Sequence, residues 1–290
     1  PRIQMIDCIL IGGGIIGLFT ARELSDAGVR VALLERKRTG REASWAGGGI
    51  LSPLYPWRYG QAVNALVAWS QSVYPGLSEQ LREETGIDPE FTRNGLLVLD
   101  PQETEKAQSW GRKWNSQIQS LLEEDIPALE PGLGSSAGGG LWMPAIGQVR
   151  NPRLVESLRQ YLQERIDVRE EMEVEHLLIE SGRVRGVDTN QGKLFAERVI
   201  VCAGAWTRNL LGSLGNSPLI EPVRGQMILY EAVPGLVNRI LLHRDHYLIP
   251  RRDGRILVGS TLEHRGFEKE TTQEARSQLE AFAVNLFPAL

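Results

Sequence analysis

With 290 residues, 42% of them hydrophobic and 23% charged, and a net charge of −4, the chain is long enough for two domains and carries no basic excess for nucleic acid. The apolar run Cys8–Phe19 is too short and too glycine-rich to span a bilayer and has no cleavage-site pattern, so a soluble, non-secreted, cytoplasmic protein is expected. Cys8 and Cys202 are the only cysteines, each inside an apolar run, which excludes a disulfide framework and marks both as small core residues.

The first stretch, Asp7 to Glu35, reads apolar strand, then Gly12-Gly13-Gly14-Ile15-Ile16-Gly17, then a helix to Gly28, a second apolar strand to Leu34 and an acidic residue. This is the βαβ dinucleotide-binding fingerprint in its full context. Gly12 makes the tight turn, Gly14 lets backbone approach a pyrophosphate, and Gly17 lets the helix pack on the strands. The helix start offers unpaired N–H groups to phosphate. Glu35 stands where a carboxylate accepts hydrogen bonds from ribose hydroxyls. A glycine-rich turn in an ordinary parallel sheet is the plainer alternative.

The run from Arg36 to Leu51 follows, with Gly47, Gly48 and Gly49 beside Ser44 and Ala46. Residues this small suit backbone lying against a flat ligand, the alternative being a flexible surface loop. Ser52–Trp57 breaks the chain. Arg58–Thr85 has apolar residues near helical spacing, interrupted at Pro75-Gly76. Gly95–Asp100 is a short strand, Pro101–Trp114 an exposed helix, and Gly138–Pro144 a turn and strand. This region lacks βα alternation and reads as a separate layer inserted into the nucleotide domain. Asn151-Pro152 opens a helix with Leu154, Val155, Leu158, Tyr161 and Leu162 on one face. Arg198–Gly204 is a buried parallel strand whose end, Ala203-Gly204, brings backbone to the ligand, and Ala205–Leu214 continues as a helix. From Pro222 the pattern becomes an antiparallel meander with strands at 224–230, 239–242, 246–250 and 255–259. A final helix spans Thr272–Leu286.

His176, His243, His246 and His264 are scattered, no metal-ligand cluster is visible, and no nucleophile–base pair stands out. A dinucleotide site without such machinery leaves the reaction to the cofactor. The long insertion after Glu35 suits FAD better than a nicotinamide.

Several motifs, in order over essentially the whole chain, carry a resemblance. They are Ile11-Gly-Gly-Gly-Ile-Ile-Gly17, Arg41-Glu-Ala-Ser-Trp-Ala-Gly-Gly-Gly-Ile-Leu-Ser-Pro-Leu-Tyr-Pro-Trp57, Val149–Val155, Cys202-Ala-Gly-Ala-Trp206, Pro222–Met227, Tyr247-Leu-Ile-Pro-Arg251 and Gly259-Ser-Thr261. On these the chain resembles the glycine oxidases of the thiamine pathway, within the D-amino-acid oxidase family of flavoproteins. The resemblance implies an α/β fold. A Rossmann-like FAD-binding domain (1–84, 148–219 and 275–290) carries an α+β substrate domain on an antiparallel sheet (85–147 and 220–274), and the C-terminal part of the family fold, with its Gly-Leu-Arg-Pro arginine, is absent. It implies FAD contacts at Ile15, Ile16, Glu35, Arg36, Ala43, Ser44, Gly48, Gly49, Ile50 and the backbone near Val174. It also puts Tyr247 at the substrate, hydrogen-bonding a carboxylate. Trp45, Trp57 and Trp206 are expected to pack, and Arg251 and Arg252 to form a solvated turn.

The expected reaction is FAD-dependent oxidation of glycine, D-alanine or sarcosine to the imine and 2-oxo acid, with hydrogen peroxide released and the product feeding thiamine thiazole synthesis. Expected partners are the amino acid and molecular oxygen, with no metal and no nucleic acid. A homo-oligomer and a separate C-terminal fragment of the same protein stay open. So do two other functions: a D-amino-acid dehydrogenase with a quinone acceptor, and an inactive FAD-binding fragment.

Overall fold

A computed structural model of the protein describes residues 6–134, 139–215 and 217–290. Gly138, expected to begin a turn, lies outside them. In chain order the strands are β1 (Ile6–Ile11), β2 (Val31–Leu34), β3 (Leu96–Leu99), β4 (Gln119–Leu121), β5 (Gly140–Met143), β6 (Asp167–Arg169), β7 (Val174–Glu180), β8 (Arg183–Thr189), β9 (Gly192–Val201), β10 (Met227–Tyr230), β11 (Ile240–His243), β12 (His246–Pro250) and β13 (Ile256–Gly259). The chain divides into two compact units. The first runs to Gly47 and takes in Glu79–Pro89 and Asn151–Pro222; the second holds Gly48–Ser78, Glu90–Arg150 and Val223–Leu290.

The first unit is built on a six-stranded sheet in the order β6-β2-β1-β9-β8-β7. The pairs β6–β2, β2–β1 and β1–β9 are parallel, while β9–β8 and β8–β7 are antiparallel. Cys8–Ile11 and all of β2 are buried, as their unbroken apolar runs require of central parallel strands. Strand β9 serves both halves. Residues 192–195 pair with β8, and from Ala196 onward it lies beside β1. The helix Asn151–Leu162 buries Leu154, Val155, Leu158, Tyr161 and Leu162, the face set by its sequence spacing. The segment after β9 is not one helix. It breaks into three short turns, Gly204–Trp206, Thr207–Leu211 and Gly212–Leu214.

The second unit is a seven-stranded sheet in the order β10-β13-β12-β11-β3-β5-β4. It is antiparallel except where β3 lies parallel to β11. These two strands are far apart in sequence, so no tight hairpin dictates their direction. Alternation sorts the side chains to two cores. Leu97, Leu241, Leu248 and Val258 pack with Leu279, Ala283 and Leu286 of the helix Gln273–Leu286. Leu96, Val98, Tyr247 and Ile249 form the other core, against which Ile50, Leu54, Tyr55 and Trp57 lie. This division differs from the one expected from sequence, because the closing helix and residues 50–57 pack apolar side chains on this sheet.

The helix Gln61–Thr85 continues unbroken through Pro75. Burial of Leu77 and Leu81 is worth about 1.5–3 kcal/mol each, enough to offset the roughly 3 kcal/mol penalty of an internal proline. Its earlier turns reverse the expected stripe. Val63, Leu66 and Val73 are exposed, and Asn64 is buried, bonding the carbonyls of Pro56, Tyr59 and Gly60 and the Trp110 ring nitrogen. Among the described residues no helix is long and apolar enough to cross a membrane.

Candidate cofactor and substrate sites

In the first unit the carboxyl ends of β1, β2 and β9 converge. The Gly12 N–H donates to the Leu34 carbonyl at 2.8 Å and the Cys202 N–H to the Ile11 carbonyl at 2.7 Å. Gly12 has φ 108°, and a Cβ there would overlap the Cys202 carbonyl oxygen. A Cβ on Gly17 would overlap the Gly12 carbonyl. Only hydrogen at both positions lets the helix Ile15–Asp26 begin against the strand ends. Ala203 and Gly204, with Gly204 at φ 51°, close the same corner.

That helix starts at Gly14 without a side-chain cap. The Ile15 N–H donates to Ser44 Oγ at 2.8 Å, and the helical ladder begins at Leu18. The amides of Ile16 and Gly17 have no acceptor among the described residues, so two N–H groups at the positive end of the helix dipole stand open to an anion. Glu35 is 8% exposed. Its Oε2 accepts from the Gly13 N–H and its Oε1 from the Lys37 N–H, both at 2.9 Å. Each oxygen keeps a lone pair for a ribose hydroxyl. Val174 heads β7 in the apolar cluster of Ile11, Leu34 and Met172. The Met172 N–H donates to the Glu35 carbonyl. An uncapped helix start, a carboxylate and side-chain-free strand ends fit the pyrophosphate and adenosine of a dinucleotide.

Other expected contacts have partners of their own. The Arg36 guanidinium lies 3.8 Å from the Trp206 ring centroid and 3.8 Å from Glu42. Ala43 and Ser44 sit on the short helix Ala43–Ala46. Gly47 abuts Asn151, whose amide a Cβ would overlap.

In the second unit, Gly48 lies over β12. A Cβ on it would stand 2.7 Å from Ile249 Cδ1 and 3.6 Å from the Tyr247 ring. Gly49 has φ 78°, and Ile50 bridges to Gln148. Tyr247 is 9% exposed. Its hydroxyl donates to Met227 Sδ at 3.3 Å, and burial pushes its pKa above the ordinary tyrosine value. His246 faces away from it, with its ring 5.0 Å from Phe282 and its Nε2 3.4 Å from the Gln278 amide.

Arg251 corrects the expectation of a solvated turn. It is part-buried, and its Nη1 donates to Gln148 Oε1 at 2.6 Å and the Val149 carbonyl at 3.1 Å. Its Nη2 donates to the Gly48 carbonyl at 2.8 Å. Loss of water around the guanidinium lowers its pKa to about 10. Gln148 escaped the sequence reading, and Met227 entered it only as the end of the motif Pro222–Met227. Alternation along β12, which puts residues 247, 249 and 251 on one side, was the available signal for Arg251. Among the described residues no cluster could hold a metal ion.

Residues 7–290 match the family described as DAO, FAD dependent oxidoreductase. The chain is 48% identical over 284 residues to the glycine oxidase of Pseudomonas aeruginosa, covering 97% of this chain and 78% of that protein. It is 34% identical to the bifunctional protein ThiO/ThiG of Trichormus variabilis, over 98% of this chain and 44% of that one. The crystal structure of glycine oxidase from Geobacillus kaustophilus superposes with a TM-score of 0.91 at 28% identity, covering 97% of this chain and 78% of its own. The chain thus belongs to the DAO family of FAD-dependent oxidoreductases, and its cofactor is FAD.

Proposed function

We propose that this protein catalyses the oxidative deamination of glycine, with D-alanine and sarcosine as further substrates, and passes the electrons to molecular oxygen. Glycine, oxygen and water then become glyoxylate, ammonia and hydrogen peroxide, and the product feeds thiazole formation for thiamine. FAD, when bound, supplies the hydride acceptor for the substrate Cα–H and the route of the electrons to oxygen. In this reading the first unit binds the nucleotide through Ile16, Gly17 and Glu35, and the second carries the amino acid.

The observation that carries the substrate reading is the Tyr247 hydroxyl. It is buried beside the Gly48–Gly49 backbone, with the Ser260 side chain in hydrogen-bond contact, and the acceptor of its own proton is a thioether, a weak acceptor that a carboxylate displaces readily. The raised pKa keeps the phenol protonated at neutral pH, so Tyr247 holds the carboxylate as a donor and abstracts no proton. Orientation of the Cα–H is then the main contribution of the protein. The 48% identity to a glycine oxidase favours glycine among small amino acids.

The test is stoichiometry. Protein loaded with FAD and given glycine in air should form glyoxylate and hydrogen peroxide in equal amounts. Reduction of a quinone or dye without peroxide would make it a dehydrogenase. No turnover with either acceptor, in protein that retains FAD, would leave a binding fragment.

A further inference from the structure

The backbone of residues 48–51 has an order that the sequence does not announce. The Val149 N–H donates to the Gly49 carbonyl and the Leu51 N–H to the Gly147 carbonyl, both at 2.9 Å. Ile50 faces Gln148 between those two bonds, so its own N–H points away from the 147–149 segment. The preceding peptide has no backbone partner for its carbonyl. Arg251 supplies one, with Nη2 at 2.8 Å from the Gly48 oxygen while Nη1 spans Gln148 and Val149. Gln148 is 2% exposed and is locked in turn by bonds to the Pro250 carbonyl and Asn94. One guanidinium therefore ties the end of β12 to both sides of the glycine loop.

The consequence follows from peptide geometry. The Gly48–Gly49 bond is trans, so its N–H points opposite to its carbonyl. With the Gly48 carbonyl drawn in by Arg251, the Gly49 N–H is turned out, and no acceptor holds it among the described residues. Gly48, Tyr247 and Ile249 crowd the same spot, which keeps the peptide from flipping.

We propose that Arg251 is a positioning residue: by holding the Gly48 carbonyl it presents the Gly49 and Ile50 amides as fixed hydrogen-bond donors to the isoalloxazine ring of FAD. This rests on the reading of FAD as the ligand and extends it to the ring end of the cofactor. The three acceptors are neutral, so the bonds position by geometry as well as charge. Lysine, a point charge without the planar fork, cannot span them.

Titration of apoprotein with FAD and, separately, with ADP decides it, using wild type, Arg251→Gln, Arg251→Lys and Arg255→Gln. Arg255 pairs with Asp253 and Glu231 on the nearby turn and controls for general disturbance. Both Arg251 variants should bind FAD about ten- to a hundredfold more weakly, the worth of a charge-assisted hydrogen bond. ADP, which lacks the ring, should bind as to wild type. The visible absorption bands of the FAD that still binds should shift, and Arg255→Gln should change neither ligand. Equal loss of FAD and ADP means Arg251 merely holds the fold, and undiminished FAD binding means the loop does not need it. Full recovery in Arg251→Lys means charge matters rather than position, and any of the three overturns the proposal. Wild type that takes up no FAD refutes the underlying cofactor reading and the proposal with it.

Discussion

Replacing Tyr247 with Phe separates orientation from acid–base chemistry. The phenol donates to Met227 Sδ at 3.3 Å, and the ring packs in the core of Val98, Leu242 and Ile249. A thioether is a weak acceptor and the contact with Ser260 is a neutral one, so losing them should cost about 0.5 kcal/mol, the low end for neutral pairs. The ring keeps its contacts, and the melting temperature should stay within about 2 °C. Substrate binding is different. A neutral donor on a carboxylate is worth roughly 1.5–3 kcal/mol, and about 1.4 kcal/mol is tenfold, so KM for glycine should rise about ten- to a hundredfold. The limiting rate of flavin reduction, read by stopped-flow absorbance, should fall far less. In wild type the Tyr247 contribution to KM should persist to above the ordinary tyrosine pKa of 10.0, because burial raises it. Normal glycine binding with a reduction rate lowered about a thousandfold, or about 4 kcal/mol, would make Tyr247 an acid–base group and refute the reasoning. A larger effect from His246→Ala would place the substrate on the opposite face of β12.

Glu35→Gln keeps one acceptor but sets an amide NH2 against the Gly13 or Lys37 N–H. FAD affinity should fall about ten- to a hundredfold, and an unchanged dissociation constant in apoprotein titration would remove Glu35 from the site. Gly17→Ala drives a Cβ into the Gly12 carbonyl, so the purified variant should carry little FAD and melt at lower temperature; full flavin content would show that the turn yields. Glu103 is held at about 2 by Lys106, Arg58 and Trp57, and Glu263 at about 2 by Arg224, Thr261 and Gln226, each against an ordinary 4.5. Depressed values mean stability that is present above pH 4.5 and lost as pH falls toward 2. Denaturant midpoints of Glu103→Gln and Glu263→Gln should therefore vary less with pH across that window than wild type, and parallel acid limbs would contradict the ion-pair assignment.

What could be read from the residues divides by the range of the forces involved. The first sheet was legible because β1 and β2 are apolar runs that only a doubly covered parallel strand accommodates, and Gly12 and Gly17 stand where the chain turns; the second half of β9 pairs parallel with β1 as its sequence suggested, but it is only half-buried rather than buried. These are local signals. The continuation of the helix through Pro75 was not, since it depends on where Leu77 and Leu81 find a core. The inversion of its early turns was hidden for the same reason. Asn64 goes inside because three carbonyls and an indole meet it there, and none of these is implied by spacing along the helix.

Arg251 marks the limit most clearly. Within the run Arg251-Arg252-Asp253-Gly254, charged residues beside a tight turn read as solvated, and for the exposed Arg252 the structure agrees. What distinguishes Arg251 is its acceptors, at Gln148, Val149 and Gly48, the last 203 residues away along the chain. A planar fork can gather three neutral oxygens from separate segments, and each is worth little alone. Motif and spacing could indicate that the Gly47–Gly49 backbone lies against a flat ligand. Which way its peptides face is decided by a side chain on another strand. Tyr247 and Arg251 each stand two residues from Ile249, on either side of it. One face of β12 and the residue that ends it therefore do two jobs in the proposed chemistry: the phenol holds the substrate, and the guanidinium sets the amides that hold the cofactor ring.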